Sequence, residues 1–357
     1  MSIGSLSPTL TGEYHLKKAL INKFGLVLGF MLSISAFAEP LKVSVSLAPL
    51  HSLVAQLGHG IFEPSLIYSI EQSPHSAALR PSQLSLILNT DLLIWVDESL
   101  EHSLGRIISQ RRPSGQIMQL YEENGAISYE SNLTLLNNRP SLFELSTEED
   151  AHSEHSEHDH DADRHTEVTG HAEEHGHEAH DHGLLDPHFW LSPDNALQFS
   201  RAVYQQLIVI DAKNSSQYLA NLTKLESDLT ELQAELKVQT QPIQSVPFIV
   251  FHDGFQYFEQ AFSLTGIGSV VLIPDQPPGP KTINSLIDAA QQHHVACLFA
   301  EPQYDQKYLT FIQKNLNSAK IGVIDTLGSQ LLIGETLYTE LLTQLAANMI
   351  SCLEYKQ

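Results

Sequence analysis

Short apolar runs alternate with stretches of helical periodicity in two sections of the chain. In the first, residues 43–47, 65–70 and 92–96 predict strands, and 50–59, 81–89 and 98–110 predict helices. In the second, strands are predicted over 247–251, 269–273, 296–300 and 320–325. Helices near 254–265, 281–293, 304–317 and 335–353 separate and follow them. Alternation of this kind builds parallel sheets with helices on both faces. The expected class is therefore α/β, with two lobes that each carry a parallel sheet. Between the sections, Tyr218, Leu222, Leu225, Leu229, Leu232 and Leu236 recur at spacings of 4-3-4-3-4, a helical stripe that Pro242 ends. A helix of about 25 residues would be ~37 Å long and would join the lobes stiffly. The organisation expected from the pattern is an N-terminal lobe over 39–210, a linking helix over 211–240 and a C-terminal lobe over 241–357.

The pattern breaks down in two places. At the start, Lys17, Lys18 and Lys23 precede the apolar run FGLVLGFMLSISAF at 24–37, too short to span a bilayer comfortably. Ala36-Phe37-Ala38 fits a small-x-small cleavage site, so residues 1–38 are expected to be an export signal, with the mature start near Glu39. The polar residues ahead of the run leave a downstream translation start open. No Cys follows the run, which argues against a lipid anchor. The expected location is the periplasm.

The second break is residues 144–183. Ten of the 19 histidines lie there: His152, His155, His158, His160, His165, His171, His175, His177, His180 and His182. Fourteen carboxylates accompany them with one arginine, Arg164. So little apolar surface cannot offset ordering entropy, and the stretch is expected to be a disordered insertion in the first lobe. Many imidazoles on a flexible chain suit zinc, copper or nickel as an accessory tract, without fixing one geometry. The stretch also carries much of the net charge of −23. No basic patch stands out, which sets nucleic acid aside as a partner. Cys297 and Cys352 form an even pair, and in an exported chain that suggests a disulfide closing a loop of about 54 residues; two unrelated thiols are the alternative.

Outside the tract, three histidines stand beside turn residues at predicted strand ends or loops. His75 lies in Ser73-Pro74-His75, ahead of Arg80-Pro81-Ser82. His188 lies in Asp186-Pro187-His188-Phe189-Trp190-Leu191-Ser192-Pro193. His252 ends the run at 248–251, before Asp253-Gly254. Asp325 likewise ends Ile321-Gly322-Val323-Ile324. Open α/β sheets place ligands at such strand ends.

With these pieces, and with Pro49-Leu50-His51-Ser52-Leu53-Val54, Asp91-Leu92-Leu93-Ile94-Trp95-Val96 and Phe299-Ala300-Glu301-Pro302-Gln303, the chain resembles the metal-binding subunits of the zinc and manganese ABC importers, cluster A-I. The resemblance runs from about residue 41 to the C-terminus and is closest to the periplasmic zinc-binding branch. It implies two lobes on a rigid helix and metal in the cleft, held by His75, His188 and His252, with Asp325 or a water as fourth ligand. It also implies a Cys297–Cys352 disulfide, and partnership with the permease and ATPase subunits of an importer. One branch of the family has a Glu directly before the first His; here that position is Pro74, and Glu71 is a remote substitute. Three imidazoles favour zinc, because manganese prefers more oxygen. Glu301 and Asp253 are candidates to orient an imidazole through its second nitrogen. His51 is expected to make a local hydrogen bond, and His59, His102, His293 and His294 to serve surface or packing roles.

The expected function is capture and delivery of zinc by a monomer that is not an enzyme, with a periplasmic zinc donor as a further partner. The alternatives are a manganese-binding or adhesin-type relative on the same scaffold, and a zinc hydrolase with Glu301 as base. The last lacks a His-Glu-x-x-His pattern.

Overall fold

The computed structural model describes residues 39–121, 127–137, 139, 185–272, 274, 277–316 and 318–354, with Met1, Ser2 and Gly4. Apart from Met1, Ser2 and Gly4, the expected signal segment 1–38 lies outside the described residues, as do the histidine-rich stretch at 144–183 and Ile273.

Strands β1 (Val43–Val45), β2 (Ser65–Leu66), β3 (Leu92–Ile94), β4 (Gln116–Gln119) and β5 (Ile127–Ser128) form one sheet in the order β2-β1-β3-β4-β5. Every pairing in it is parallel. Helices α1 (Ala48–Gly58), α2 (Pro81–Leu88) and α3 (His102–Gln110) connect its strands. The chain returns after the histidine-rich stretch as α4 (Pro193–Ile210) and then α5 (Ser215–Thr240). The second sheet holds β6 (Phe248–His252), β7 (Gly266–Val271), β8 (Cys297–Ala300) and β9 (Lys320–Val323), parallel throughout, in the order β7-β6-β8-β9. Its helices are α6 (Gln256–Phe262), α7 (Pro280–Gln292), α8 (Lys307–Lys314) and α9 (Leu337–Leu353). Among the described residues no helix is long and apolar enough to cross a membrane.

The α/β class and two parallel sheets agree with the apolar pattern. Three elements escaped it. Gln116–Gln119 reads QIMQ, with two apolar residues between glutamines, and Ile127–Ser128 is shorter still. Helix α4 carries plain start signals: Ser192 accepts a hydrogen bond from Asn195 N, Pro193 occupies the first turn and Asp194 follows.

The linking helix spans 26 residues, about 39 Å at 1.5 Å each. Tyr218, Leu222, Leu225, Leu229, Leu232 and Leu236 are all buried on it. They join a single apolar core that takes residues from both sheets. Strand alternation explains how the second sheet serves two cores. Phe248 and Val250 of β6, with Cys297 and Phe299 of β8, face the shared core. Ile249 and Phe251, with Leu298 and Ala300, face a second cluster under α7 and α8. Cys297 and Cys352 are joined in a disulfide, which ties β8 to α9 across the shared core.

Candidate metal centre

His252 is the last residue of β6, and Glu301 directly follows β8, the neighbouring strand. Strand order places the chain's departure to β7 on one side of β6 and to β8 on the other. The pair therefore stands at the carboxyl-end crevice where ligands bind in open sheets. Glu301 Oε1 meets His252 Nδ1 at 2.5 Å, and both are buried. His188 opens the short turn Phe189–Leu191. Asp186 Oδ1 accepts hydrogen bonds from His188 Nδ1 at 2.7 Å and from its backbone N at 2.9 Å. Trp190 packs beside the His188 ring and donates Nε1–H to Thr326 O, and Tyr338 donates to Trp190 O. The aromatic run after His188 thus anchors the ligand loop to the core. His75 sits in the turn closed by Ala77 N to Ser73 O, and Ser73 Oγ meets Tyr304 OH at 2.7 Å.

These elements bring His75, His188 and His252 together, with one nitrogen of each within 4.8 Å of the others. The Nε2 atoms of His188 and His252 are 3.3 Å apart. His75 Nε2 is buried with no hydrogen-bond partner among the described residues. Zn–N bonds of about 2.0–2.1 Å in a tetrahedron put ligand atoms about 3.3–3.4 Å apart, which matches the His188–His252 spacing. With each Nδ1–H donated to a carboxylate, both Nε2 atoms present lone pairs to one another. A cation between them turns that repulsion into attraction.

Charge around the cluster follows burial first. Burial, reinforced by the neighbouring imidazoles, holds His75 and His188 well below the usual imidazole range, so both stay neutral. Burial also opposes charge on His252, but Glu301 lifts it above its ordinary value. A proton at His252 then occupies the position a metal would take. Burial raises Asp186 to about 7 and raises Glu301 as well, against the pull of their imidazole partners.

The structure does not gather Asp325 with the three histidines. Its Oδ1 accepts from Leu327 N and Gln303 Nε2, and its Oδ2 from Ser329 N. Those bonds fold the carboxylate into its own loop, so the expectation of Asp325 as fourth ligand is not met in this arrangement. Glu71 is not in the cluster either. Of the two candidate orienting groups, Glu301 holds an imidazole; Asp253 instead pairs with Arg139. Asp186 does for His188 what Asp253 was expected to do, and its position two residues ahead of the ligand was the available signal. His51 Nε2 bonds Pro64 O, His59 pairs with Glu335, and His102, His293 and His294 are exposed. Gly254 was legible only as a turn residue. A Cβ there would sit 2.3 Å from His252 Nε2 and 3.2 Å from His188 Cε1.

The family model for the zinc-uptake complex component A, periplasmic (ZnuA), matches residues 43–352. The high-affinity zinc uptake system protein ZnuA of Yersinia pestis is 28% identical over 312 residues, covering 87% of this chain and 91% of its own. That of Brucella abortus (strain 2308) is 33% identical with the same coverage. Among solved structures, a crystal structure of ZnuA aligns with a TM-score of 0.65 at 19% identity, covering 88% of this chain and all of its own. The laminin-binding protein of Streptococcus agalactiae aligns at 0.64 and 17%, covering 87% of this chain and all of its own, which speaks for the fold alone. The chain belongs to the ZnuA family of periplasmic zinc-uptake components.

Proposed function

We propose that this protein captures zinc in the periplasm and hands it to the permease and ATPase subunits of an ABC importer. The observation that carries the reading is the convergence of three imidazole nitrogens within 4.8 Å of one another, the His188–His252 pair at tetrahedral-edge spacing and both of those rings held by buried carboxylates. In this reading His75, His188 and His252 bind zinc through nitrogen, and a water takes the fourth position. Zinc is cargo, so the site needs no general base, only ligands that are neutral when metal arrives. Family membership and the names of the relatives support zinc over manganese, as does an all-nitrogen donor set. Residues 1–38 are proposed as the export signal. The stretch 144–183 is proposed as an accessory collector that raises the local zinc concentration at the cleft.

Metal content and competition binding, zinc against manganese, test this on the mature chain and on one lacking residues 150–183. The expected result is one tight zinc site in both and several weak sites only in the intact chain. Loss of the tight site on deletion would move the main site into the histidine-rich stretch and refute the assignment.

A further inference from the structure

Arg139 belongs to none of the sequence motifs, yet its side chain is mostly buried, with 25% exposure. Every N–H of its guanidinium side is directed at the second lobe. Nε donates to Asp253 Oδ1 at 2.9 Å, and Nη2 donates to the same oxygen at 2.6 Å and to Glu259 Oε1 at 3.1 Å. Nη1 donates to Glu259 Oε2 at 2.8 Å and to Gly266 O at 3.2 Å. The backbone N of Arg139 donates to Asp253 Oδ2 at 3.1 Å. Asp253 and Glu259 are both buried, and a buried carboxylate left unpaired is strongly destabilising. A planar fork serves two carboxylates at once in a way that a lysine cannot.

The network continues into the metal centre. Asp253 is the residue after His252. Its Oδ2 also accepts from Gln256 Nε2 at 3.1 Å, and the same amide reaches Asp186 Oδ2 at 3.4 Å. Asp186 in turn holds His188. Tyr257, one residue along α6, accepts from Leu136 N and donates to Asp186 O. Leu136 and Arg139 on one stretch, and Asp186 and His188 on the other, are therefore fastened to α6 and to the turn that carries His252.

We infer that Arg139 is a positioning and specificity residue of the metal centre: by engaging both oxygens of Asp253 it holds the 252–254 turn against His188 and keeps that carboxylate away from the metal. The inference rests on the zinc-binding reading above. Sequestering Asp253 preserves an all-nitrogen protein donor set. A released carboxylate beside three imidazoles is an added oxygen donor, which favours harder cations such as Mn²⁺.

The test compares the mature protein with Arg139→Gln, Arg139→Lys, Asp253→Asn and the double variant Arg139→Gln/Asp253→Asn. The readouts are zinc affinity by chelator competition, the zinc-to-manganese affinity ratio, and the visible spectrum of the cobalt(II)-loaded protein, which reports donor set and coordination number. Arg139→Gln is expected to lose about 10–100-fold in zinc affinity, the usual effect of removing an outer partner of a metal ligand. Its zinc-to-manganese ratio falls and its cobalt bands weaken as an oxygen donor enters. Arg139→Lys keeps the charge without the fork and falls between. The double variant recovers the zinc-to-manganese ratio, because the freed carboxylate is gone. A folded Arg139→Gln with unchanged affinity and cobalt spectrum overturns the inference, as does a double variant that keeps the altered ratio. Should Arg139→Gln not fold, Arg139→Lys decides: a changed cobalt spectrum supports the role and an unchanged one overturns it. Failure of the unsubstituted protein to bind zinc tightly overturns the proposed function itself, and this inference with it.

Discussion

Replacing Gly254 by alanine should abolish tight metal binding while leaving the fold intact. The added Cβ would stand 2.3 Å from His252 Nε2 and 2.7 Å from its Cε1, where ordinary contact begins near 3.4 Å. The ring must retreat by about 1 Å, whereas metal–ligand distances tolerate only about 0.2 Å. Retreat is blocked behind by the 2.5 Å contact between His252 Nδ1 and Glu301. Gly254 is not among the residues of positive φ, so alanine fits its backbone and the effect is confined to the methyl group. Losing one of three imidazoles should cost more than losing an outer partner, so at least about 100-fold in zinc affinity, or about 2.8 kcal/mol. Competition against a chromophoric chelator measures the loss, and circular dichroism checks the fold. Gly279→Ala is the control, since a Cβ there meets nothing within 4 Å. Zinc affinity within threefold of the unsubstituted protein in Gly254→Ala would refute the placement of the metal at the Nε2 atoms.

Asp186→Asn removes the charge that orients His188 and should weaken zinc binding about 10–100-fold, read by the same competition. Asp325→Asn should change zinc affinity by less than threefold, because that carboxylate serves its own loop; a larger loss would restore it as a ligand. Cys352→Ser should cost about 4 kcal/mol of stability on the chain-entropy account, measured by denaturant unfolding, with zinc affinity little changed. At pH 6.5, zinc binding should release protons, displaced from His252 whose folded value is raised, and calorimetry in buffers of different ionisation enthalpy detects the release. For the metal-free protein the signs differ by residue. His75 and His188 are depressed, so the unfolded chain takes up more protons and stability falls as pH drops through 6.5; the contribution of His252 is present below 6.5 and lost as pH rises through its folded value.

Much of this was legible locally. The stripe from Tyr218 to Leu236 announced the linking helix, and the apolar runs announced seven of the nine strands described, each ending within a few residues of its expected place. The three histidines were legible because each sits beside turn residues, His252 at the end of an apolar run and His75 and His188 in Pro-His loops. What escaped depends on contacts that no local pattern encodes. Arg139 and Asp253 are 114 residues apart, and nothing near either names the other. The demand on Gly254 comes from a ring two residues back and a second ring 66 residues earlier, visible only once the turn is folded. Asp325 is the opposite case. Its position at a strand end fitted a ligand, but nearby backbone N–H groups at 327 and 329 claim its oxygens first, a common habit of aspartate in turns.

The apolar interior that passes through the linking helix without a break has a consequence for how loading is signalled. A protein whose halves share one packed interior has no soft joint at which they can swing apart. Metal is then expected to enter and leave through small movements of the turn carrying His75, which meets the opposite half through the Ser73–Tyr304 hydroxyl pair and the His75–His252 ring contact. The expectation is that a partner tells full from empty by a few side chains at the rim of the cleft rather than by a swing of one half against the other.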